Sequence, residues 1–288
     1  MNIHTIILAA GKGTRMNTNL PKVMQPLGGA TLISHVINTA QKTSTNITAV
    51  IGYEKKILKK LIHEAYPSIQ TVEQEKQLGT AHAVKQAMHL IKPNEKVLVL
   101  YGDVPLITNK TIKSLISSSK ECCLLCMHLD DPTGYGRVMT NNKGHAIKII
   151  EHKDASDEQK KIHEVFTGTL VVEGQLLIDA LEEIDNKNAA NEYYLTDLVE
   201  ILSAKGVKIN CIQANPREVM GANNKKELHE LESILRQMNA DKLLDQGISL
   251  IDASRVDLRG DVKAGKDCSI DVNVILEGQI RLGKNVII

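Results

Sequence analysis

Aromatic residues are scarce in this sequence. Trp is absent, Phe166 is the only Phe, and Phe, Trp and Tyr together make up 2% of the 288 residues. Packing of the core must therefore rest on aliphatic side chains, and these are available because apolar residues make up 42% of the chain. A chain of this length and apolar content can bury one large domain together with a smaller unit.

An excess of charge of either sign is also missing. The 35 Lys and Arg residues almost balance the 34 Asp and Glu residues, which leaves a net charge of +1 at pH 7. We therefore expect neither nucleic acid nor a membrane surface as a partner, and any phosphate binding must be local. No apolar run is long enough to span a membrane, and residues 6–10 lack the basic flank and long apolar core of a signal peptide. A cytoplasmic protein is expected.

Cysteines are few and odd in number. Of the five, Cys123 and Cys126 form a Cys-x-x-Cys pair, but the pair lies in an apolar stretch, residues 122–127, that is typical of a buried strand. A zinc site would need a second pair of ligands, and none is evident. The pattern favours packed thiols over a zinc or redox site.

A glycine loop follows the first apolar stretch. Residues 3–8 are apolar and β-branched enough to predict a buried strand that opens a βα unit. Gly11 and Gly13 come next and leave backbone N–H groups accessible to an anionic ligand. Cationic side chains follow at Lys12, Arg15 and Lys22. The segment therefore predicts a cradle for a triphosphate.

Two better-known phosphate motifs do not fit this loop. A dinucleotide-binding loop has a third glycine where Met16 stands, and a P-loop has a Lys-Ser or Lys-Thr pair after its second glycine. A lone Gly-x-Gly after a strand is often only a tight turn. The nearby Arg15 and the segment Leu20-Pro21-Lys22 favour phosphate binding over that alternative.

Short apolar runs alternate with helical patterns through the first half of the chain. Strands are predicted at 47–51, 69–72 and 97–100, and helices at 32–40, 57–62 and 80–91. This alternation is typical of an α/β fold with a mostly parallel, doubly wound sheet. Ligands of such folds bind at the carboxyl ends of the strands.

Asp103 follows the strand predicted at 97–100 and so lies at that edge. A carboxylate is a hard oxygen ligand, and Mg²⁺ bridging phosphates needs only one or two protein oxygens. Capping of a turn or helix ahead of Thr108 is the alternative role. The phosphate loop expected nearby favours a metal ligand.

The loop at 74–83 is a candidate for contacts with a nucleotide base. Gly79 permits close approach of the backbone, and Thr80 is predicted to cap the following helix. His82 lies one or two residues inside that helix. A packed or solvated His82 is favoured over a catalytic one.

The final forty residues change character. Apolar residues recur every six positions, at Val256, Val262, Cys268, Val274, Ile280 and Val286. A six-residue period is the signature of a parallel β-helix. Before it, a long helical pattern opens at Asn223-Asn224 and ends near Gly247. The predicted divisions are an α/β domain at 1–222, a linker helix at 223–247 and the start of a hexapeptide-repeat β-helix at 248–288.

An ordered set of motifs along the whole chain resembles one enzyme family. The motifs are Leu-Ala-Ala-Gly-x-Gly-Thr-Arg-Met from Leu8, Leu-Pro-Lys from Leu20, Gln-Leu-Gly-Thr from Gln77, Tyr-Gly-Asp-x-Pro-Leu from Tyr101, Thr-Gly-Tyr-Gly-Arg from Thr133, Ile-x-Glu-His-Lys-Asp from Ile149, Glu-Tyr-Tyr-x-Thr-Asp from Glu192 and Gly-x-Asn-Asn from Gly221. They make the chain similar to the bacterial bifunctional N-acetylglucosamine-1-phosphate uridyltransferase/glucosamine-1-phosphate acetyltransferase family. That family joins a Rossmann-like sugar-nucleotidyltransferase domain, through a long helix, to a trimerising left-handed β-helix.

The resemblance implies a reaction and a set of site residues. UMP would pass from UTP to N-acetylglucosamine 1-phosphate, giving UDP-N-acetylglucosamine, a precursor of cell wall and lipopolysaccharide, and pyrophosphate. Arg15 and Lys22 would be catalytic, and Asp103 with Asn223 would bind Mg²⁺. The substrate-binding residues would be Leu8, Ala9, Ala10, Gly11, Gly13, Gln74, Gly79, Thr80, Tyr101, Gly102, Gly136, Glu151, Phe166, Thr167 and Asn223. Among these, Gln74, Gly79 and Thr80 would read uracil.

Two features depart from the family pattern. Members carry Asn-Thr-Gly where this chain has Phe166-Thr167-Gly168, so an amide thought to hydrogen-bond the sugar is replaced by an apolar ring. The acetyltransferase site is built from later coils that this sequence lacks, so acetyl-coenzyme A chemistry is not expected and trimerisation through the β-helix is doubtful. The alternative functions are transfer to a different sugar 1-phosphate and a catalytically silent nucleotide-binding scaffold.

Overall fold

The fold is organised on its first strand, β1 (Ile3–Ala9). All seven residues of β1 are buried, which explains why its sequence is a nearly continuous apolar run rather than an alternating one. The buried His4 ring is satisfied inside the core, with Nδ1 3.0 Å from Glu95 Oε1 and Nε2 2.8 Å from Thr48 Oγ1.

The structure, a computed structural model, describes residues 2–288. Its strands are β1 (Ile3–Ala9), β2 (Pro26–Leu27), β3 (Ala30–Thr31), β4 (Asn46–Ile51), β5 (Gln70–Glu73), β6 (Lys96–Tyr101), β7 (Cys122–His128), β8 (Arg137–Thr140), β9 (Ala146–Ile150), β10 (Glu164–Glu173), β11 (Ile209–Gln213), β12 (Ser249–Leu250), β13 (Val256–Ala264), β14 (Ser269–Ile270) and β15 (Val274–Leu282). Its α-helices are α1 (Leu32–Ala40), α2 (Lys55–Ala65), α3 (Thr80–Gln86), α4 (Asn109–Ser118), α5 (Asp157–Lys160), α6 (Gly174–Glu183), α7 (Asp197–Ala204) and α8 (Lys225–Asp245).

Nine strands form one mixed sheet in the order β5-β4-β1-β6-β10-β7-β11-β9-β8. Strands β5, β4, β1 and β6 run parallel, and β7 is parallel to β11, while β10 is antiparallel to its neighbours β6 and β7. The chain builds outward from β1 to β4 and β5, and then returns to place β6 on the other side of β1. This reversal creates a crevice at the carboxyl ends of β1 and β6, where open α/β sheets bind ligands.

Helices cover both faces of this sheet. Helices α1, α2 and α4 pack on one face, where Val36 and Leu58 are fully buried. Helices α3, α6 and α7 pack on the other, where Val84 and Leu177 are fully buried. The predicted α/β fold with helices on both faces of the sheet is confirmed. The sheet is not mostly parallel as predicted, because β10, β9 and β8 pair antiparallel with their neighbours.

The helix predicted at 80–91 is shorter than expected. Helix α3 ends at Gln86, and a separate 3₁₀ turn follows at Met88–Leu90. The helix tightens because the N–H of Ala87 bonds three residues back, to Val84 O at 2.9 Å.

The predicted capping role of Thr80 is wrong. Its hydroxyl oxygen accepts a hydrogen bond from the N–H of Leu195 at 2.9 Å, and the residue that precedes α3 is Gly79. The N–H of Ala81 also donates to Tyr193 O at 2.9 Å. The first turn of α3 is therefore anchored on a distant segment, which a local sequence pattern does not reveal.

Helix α8 begins as predicted, after Asn223 and Asn224. The Asn224 side chain caps it by accepting a hydrogen bond from the N–H of Glu227 at 2.9 Å. Leu228 and Leu231 then pack in one apolar cluster with Leu27. Although α8 has 21 residues, none of the helices formed by residues 2–288 combines the length and the apolar character that crossing a membrane requires.

Beyond α8 the chain forms two parallel strand pairs. Strand β13 pairs with β15, and β12 with β14, so that Val256 lies beside Val274, 18 positions later. The apolar positions of the predicted six-residue period all belong to one cluster, which also contains Leu243 of α8. The period therefore marks the residues that pack inward.

The Cys-x-x-Cys pair lies on β7, as predicted for a buried strand. Cys123 and Cys126 are fully buried, and the cysteines of residues 2–288 are free thiols.

Candidate active site

A cavity of about 370 Å³ opens at the crevice between β1 and β6. Its lining residues are Leu8, Ala9, Ala10, Gly11, Lys22, Val23, Gln74, Gln77, Gly79, Thr80, Ala83, Tyr101, Asp103, Glu192 and Asn223. Segments that are far apart in sequence therefore meet at the carboxyl ends of these strands.

The loop after β1 leaves its backbone uncovered. No atom from beyond its chain neighbours lies within 4 Å of the position that a Cβ at Gly11 would take. Gly13 has φ +60°, and a Cβ there would lie 2.5 Å from Lys22 Cβ. The first glycine thus gives a ligand access to the loop, and the second lets the stem of Lys22 pass close to it.

Lys22 joins the two predicted metal ligands. Its Nζ forms a salt bridge with Asp103 Oδ2 and donates a hydrogen bond to Asn223 Oδ1 at 3.0 Å. The side chains of Lys22 and Asp103 are only 16% and 15% exposed, so water screens their attraction incompletely. Two hard oxygen atoms therefore converge on a single cation.

These two oxygen atoms are a small ligand set. Within residues 2–288, no group of three or more His, Cys, Asp and Glu side chains is placed to hold a metal ion. Mg²⁺ usually keeps several waters and takes one or two carboxylates plus oxygens from substrate phosphates. The pair Asp103 and Asn223, already converging on an ammonium group, fits Mg²⁺ that arrives with a nucleotide.

Glu227, in the first turn of α8, orients the Asn223 amide. Its Oε2 accepts hydrogen bonds from the Asn223 backbone N–H at 2.7 Å and from Nδ2 at 3.0 Å. Because an ionised carboxylate only accepts, the amide nitrogen must face Glu227 and Oδ1 must face Lys22. Sequence reasoning missed Glu227, although its position three residues after the capping Asn224 is a known signal at helix starts.

Gln74 also lines the cavity and is only 3% exposed. Its Nε2 donates to Gly79 O at 3.0 Å and lies 3.0 Å from His82 Nδ1. Gly79 has φ +114°, and a Cβ there would lie 2.4 Å from Tyr193 O. Only glycine therefore fits where this loop enters α3.

Glu151 lies on a neighbouring wall rather than in this cavity. Its Oε1 accepts a hydrogen bond from Thr196 Oγ1 at 3.0 Å. Burial raises the pKa of Glu151, and the hydrogen bond from Thr196 opposes that rise. A Cβ at Gly136 would lie 3.6 Å from both Glu151 carboxylate oxygens, so these two predicted substrate-binding residues are neighbours.

Phe166 packs inward. The residue is 6% exposed and belongs to the core, and the register of β10 with β7 shifts directly after it. Thr167 Oγ1 donates to Leu125 O at 2.8 Å. Gly168, with φ +92°, brings the backbone against Tyr101, since a Cβ there would lie 2.6 Å from Cε2 of that ring. The irregular segment thus supports the Tyr101 wall of the cavity through its backbone.

Most of the predicted site residues come together. Those that line the cavity are Leu8, Ala9, Ala10, Gly11, Lys22, Gln74, Gly79, Thr80, Tyr101, Asp103 and Asn223. Those outside its lining are Gly13, Arg15, Gly102, Gly136, Glu151, Phe166 and Thr167. Arg15 is exposed in the 3₁₀ turn Thr14–Met16 that follows the glycine loop.

Sequence reasoning did not single out four of the lining residues. They are Val23, Gln77, Ala83 and Glu192. Gln77 and Glu192 stand in motifs that carried the family resemblance, so their positions were available as a signal. Val23 and Ala83 are small apolar residues, and nothing in the sequence around them signals that they line a cavity.

A larger cavity of about 580 Å³ lies between β9, α6 and α7. It shares Glu151 with the wall described above but contains neither the glycine loop nor Lys22. Burial raises the pKa of Asp197, at the start of α7, to about 6, with further contributions from Glu200 and Glu151.

A family model described as the MobA-like NTP transferase domain matches residues 5–189. This range contains most of β1, the glycine loop, Gln74 and Asp103. The chain belongs to the MobA-like NTP transferase family. Two lining residues of the cavity, Glu192 and Asn223, lie beyond the matched range, and Asn223 directly precedes the Asn224 cap of α8.

The resemblance found from the motifs is confirmed by a relative. Bifunctional protein GlmU from Idiomarina loihiensis is 43% identical over 292 aligned residues, which cover 100% of this chain and 64% of that protein. This NTP transferase therefore spans about two thirds of the relative's length.

Two solved structures share the fold of this NTP transferase. A chain described as a glucose-1-phosphate thymidylyltransferase from Bacillus anthracis, in complex with sucrose, has a TM-score of 0.65 at 18% identity and covers 81% of this chain and 94% of its own. A UDP-glucose pyrophosphorylase complexed with UDP-glucose has a TM-score of 0.65 at 18% identity and covers 83% and 100%. At these identities the comparison supports the α/β fold alone.

Proposed function

We propose that this NTP transferase transfers UMP from UTP to N-acetylglucosamine 1-phosphate, giving UDP-N-acetylglucosamine and pyrophosphate. The observation that carries the proposal is the convergence of the glycine loop, Lys22, Asp103 and Asn223 at the carboxyl ends of β1 and β6. The identity of 43% to a bifunctional protein GlmU supports the choice of this reaction.

The nucleophile in this reaction is a phosphate oxygen of the sugar 1-phosphate. It is already anionic at neutral pH, so the site needs neither a general base nor a covalent nucleophile. The oxygen forms a bond to the α-phosphorus of UTP, and the bond from that phosphorus to the oxygen bridging to the β-phosphate breaks. The protein then contributes positioning and charge neutralisation.

Lys22 and Arg15 are the proposed catalytic cations. Lys22 lies in the cavity, and Arg15 stands on the exposed turn directly after the glycine loop. Cationic donors held beside the leaving pyrophosphate would offset the negative charge that develops there. Asp103 and Asn223 would hold Mg²⁺, which when bound supplies charge neutralisation across the phosphates.

The remaining site residues divide by position. Gln74, Gly79 and Thr80 are proposed to contact the uracil, because they line the same cavity as Lys22 but belong to the separate segment that enters α3. The rest of the nucleotide is proposed to bind at the ends of β1 and β6, at the glycine loop and at the residue before the cap of α8. These residues are Leu8, Ala9, Ala10, Gly11, Gly13, Tyr101, Gly102 and Asn223. The sugar phosphate is proposed to lie along Gly136, Glu151, Phe166 and Thr167.

We propose the domain divisions 1–222, 223–247 and 248–288, with the last as the start of a left-handed β-helix. The parallel pairing of residues 18 positions apart supports a β-helix, because three six-residue repeats then make up one coil of 18 residues. Self-association would run through this segment. The reaction consumes UTP, and we therefore propose the cytoplasm as its location.

Release of pyrophosphate tests the proposed function. The assay uses UTP and Mg²⁺ with N-acetylglucosamine 1-phosphate, glucose 1-phosphate and glucosamine 1-phosphate in parallel, and Asp103→Ala is the inactive control. A preference for the N-acetylated sugar is expected. A preference for another sugar would favour the second candidate, which the inward-packed Phe166 ring motivates. No release from folded protein that binds UTP would favour a silent scaffold.

A further inference from the structure

Both ring nitrogens of His82 face amide nitrogens. Gln74 Nε2 lies 3.0 Å from Nδ1, and Gln86 Nε2 lies 3.3 Å from the Nε2 of the ring. Each amide nitrogen is identified by a second contact with a carbonyl oxygen, which can only accept. Gln74 Nε2 donates to Gly79 O at 3.0 Å, and Gln86 Nε2 donates to His82 O at 2.9 Å.

This arrangement favours a neutral His82. A doubly protonated ring would direct N–H groups at N–H groups on both sides, whereas the neutral ring offers one lone pair. The shorter contact assigns that lone pair to Nδ1, which accepts from Gln74. Burial lowers the pKa of His82, and the nearby Lys85 lowers it further, in agreement with a neutral ring.

The orientation of the Gln74 amide determines what it offers a ligand. With Nε2 held by Gly79 O and His82 Nδ1, Oε1 makes no hydrogen bond within residues 2–288, and Gln74 lines the cavity. The ligand therefore meets an acceptor. Uracil carries a donor at N3–H and so complements that acceptor, whereas the N3 of cytosine is itself an acceptor and would be repelled.

We propose that His82 is a specificity-determining residue, which holds the Gln74 amide in the orientation that admits uracil and rejects cytosine. The proposal rests on the proposed function in placing the base against Gln74. Reversal of the amide would direct Oε1 at two acceptors, Gly79 O and His82 Nδ1. His82 acts through Gln74 and is a positioning residue rather than a catalytic one.

The test compares kcat/KM for UTP and CTP with N-acetylglucosamine 1-phosphate in wild type and variants. His82→Phe keeps a ring but removes the acceptor, and we expect the UTP-to-CTP ratio to fall about fivefold, as for one hydrogen bond of about 1 kcal/mol. His82→Asn places an amide oxygen near the position of Nδ1 and should restore the ratio. Gln74→Met should lower the ratio most, and the exposed His89→Phe serves as the matched control.

The selectivity ratio separates specificity from packing. If His82 only packs, both kcat/KM values fall together in His82→Phe, and an unchanged ratio in a folded variant overturns the proposal. Calorimetric binding of UTP and CTP provides an independent measurement. If the wild type releases no pyrophosphate with any sugar 1-phosphate, the proposed function fails, but loss of the preference for UTP binding in His82→Phe still supports the role of His82.

Discussion

Lys22→Met should change two properties of this NTP transferase in opposite directions. The ammonium of Lys22 bonds both to Asp103 Oδ2 and to Asn223 Oδ1, the oxygens proposed for Mg²⁺. In the protein without nucleotide, Lys22 therefore competes with a divalent cation for those oxygens. In turnover, the same ammonium is proposed to neutralise charge on the leaving pyrophosphate.

The magnitudes follow from these contacts. Hydrogen bonds to charged groups are worth roughly 1.5–3 kcal/mol, and 1.4 kcal/mol corresponds to a factor of ten. Because both side chains are mostly buried, we expect Lys22→Met to tighten metal binding by the nucleotide-free protein about 10- to 100-fold. Loss of one group that stabilises the transition state typically lowers kcat about 10²- to 10³-fold, so the turnover should fall as affinity for the metal rises.

The assay has two parts. Electron paramagnetic resonance titration of Mn²⁺ into nucleotide-free protein gives the metal affinity, and pyrophosphate release gives kcat. Lys12→Met is the control for the metal titration, because Lys12 is exposed on the same loop and its replacement removes the same charge. Metal binding that is unchanged or weaker in Lys22→Met would refute the idea that the ammonium occupies the metal position. Equal tightening in Lys12→Met would assign the effect to net charge.

Other changes test other parts of the molecule. Gly79→Ala should lower the Tm by several degrees and weaken UTP binding, because its Cβ would lie 2.4 Å from Tyr193 O. Gly144 is also at positive φ but has nothing within 4 Å of its Cβ position, so Gly144→Ala should lower the Tm less. Equal losses of Tm in the two variants would rule out the clash. Glu227→Leu removes the acceptor that orients the Asn223 amide and should weaken metal activation about 10- to 100-fold. Glu227→Gln retains an acceptor oxygen and should bind Mn²⁺ nearly as wild type does. A similar loss in both variants would show that the negative charge of Glu227 matters instead. Burial raises the pKa of Asp197 to about 6, so the folded chain binds this proton more tightly than the unfolded chain does and stability falls as pH rises through 6. Asp197→Asn should therefore raise the Tm at pH 8 by several degrees and leave it unchanged below about pH 4, as measured by thermal denaturation at both values. A gain that does not depend on pH would contradict this cause.

Sequence patterns predicted those parts of the fold that depend on local spacing. The apolar run of β1, the alternation of strands and helices, and the placement of Asp103 after β6 follow from periodicity and strand ends. The six-residue period also identified residues that pack inward beyond α8. These features agree with the structure because burial imposes the same period on the sequence that it imposes on the backbone.

The parts of the fold and of the site that the sequence did not predict depend on contacts between distant segments. The Thr80 hydroxyl bonds to a backbone N–H 115 residues away, and Lys22 meets Asn223 across 201 residues. The local pattern around Thr80 is that of a helix cap, and only the fold shows that its hydroxyl is used elsewhere. Motif resemblance brought Lys22 and Asn223 into one site, but it did not reveal that the ammonium joins the two predicted metal ligands.

Helix α8 connects the position of Asn223 in the cavity to residues that lie far from the cavity. Its first turn orients Asn223, its middle accepts a hydrogen bond from the N–H of Gly28 through Glu232 at 3.0 Å, and its last turn places Leu243 among the strands that follow. At 1.5 Å per residue the helix is about 31 Å long, so a rotation of roughly 2° about one end displaces the other by about 1 Å. A misplacement of that size can lower a rate about 10²-fold. Because α8 contacts Asn223 at one end and the C-terminal strands at the other, we expect substitutions among those strands that tilt α8 to lower turnover, although the strands lie outside the cavity.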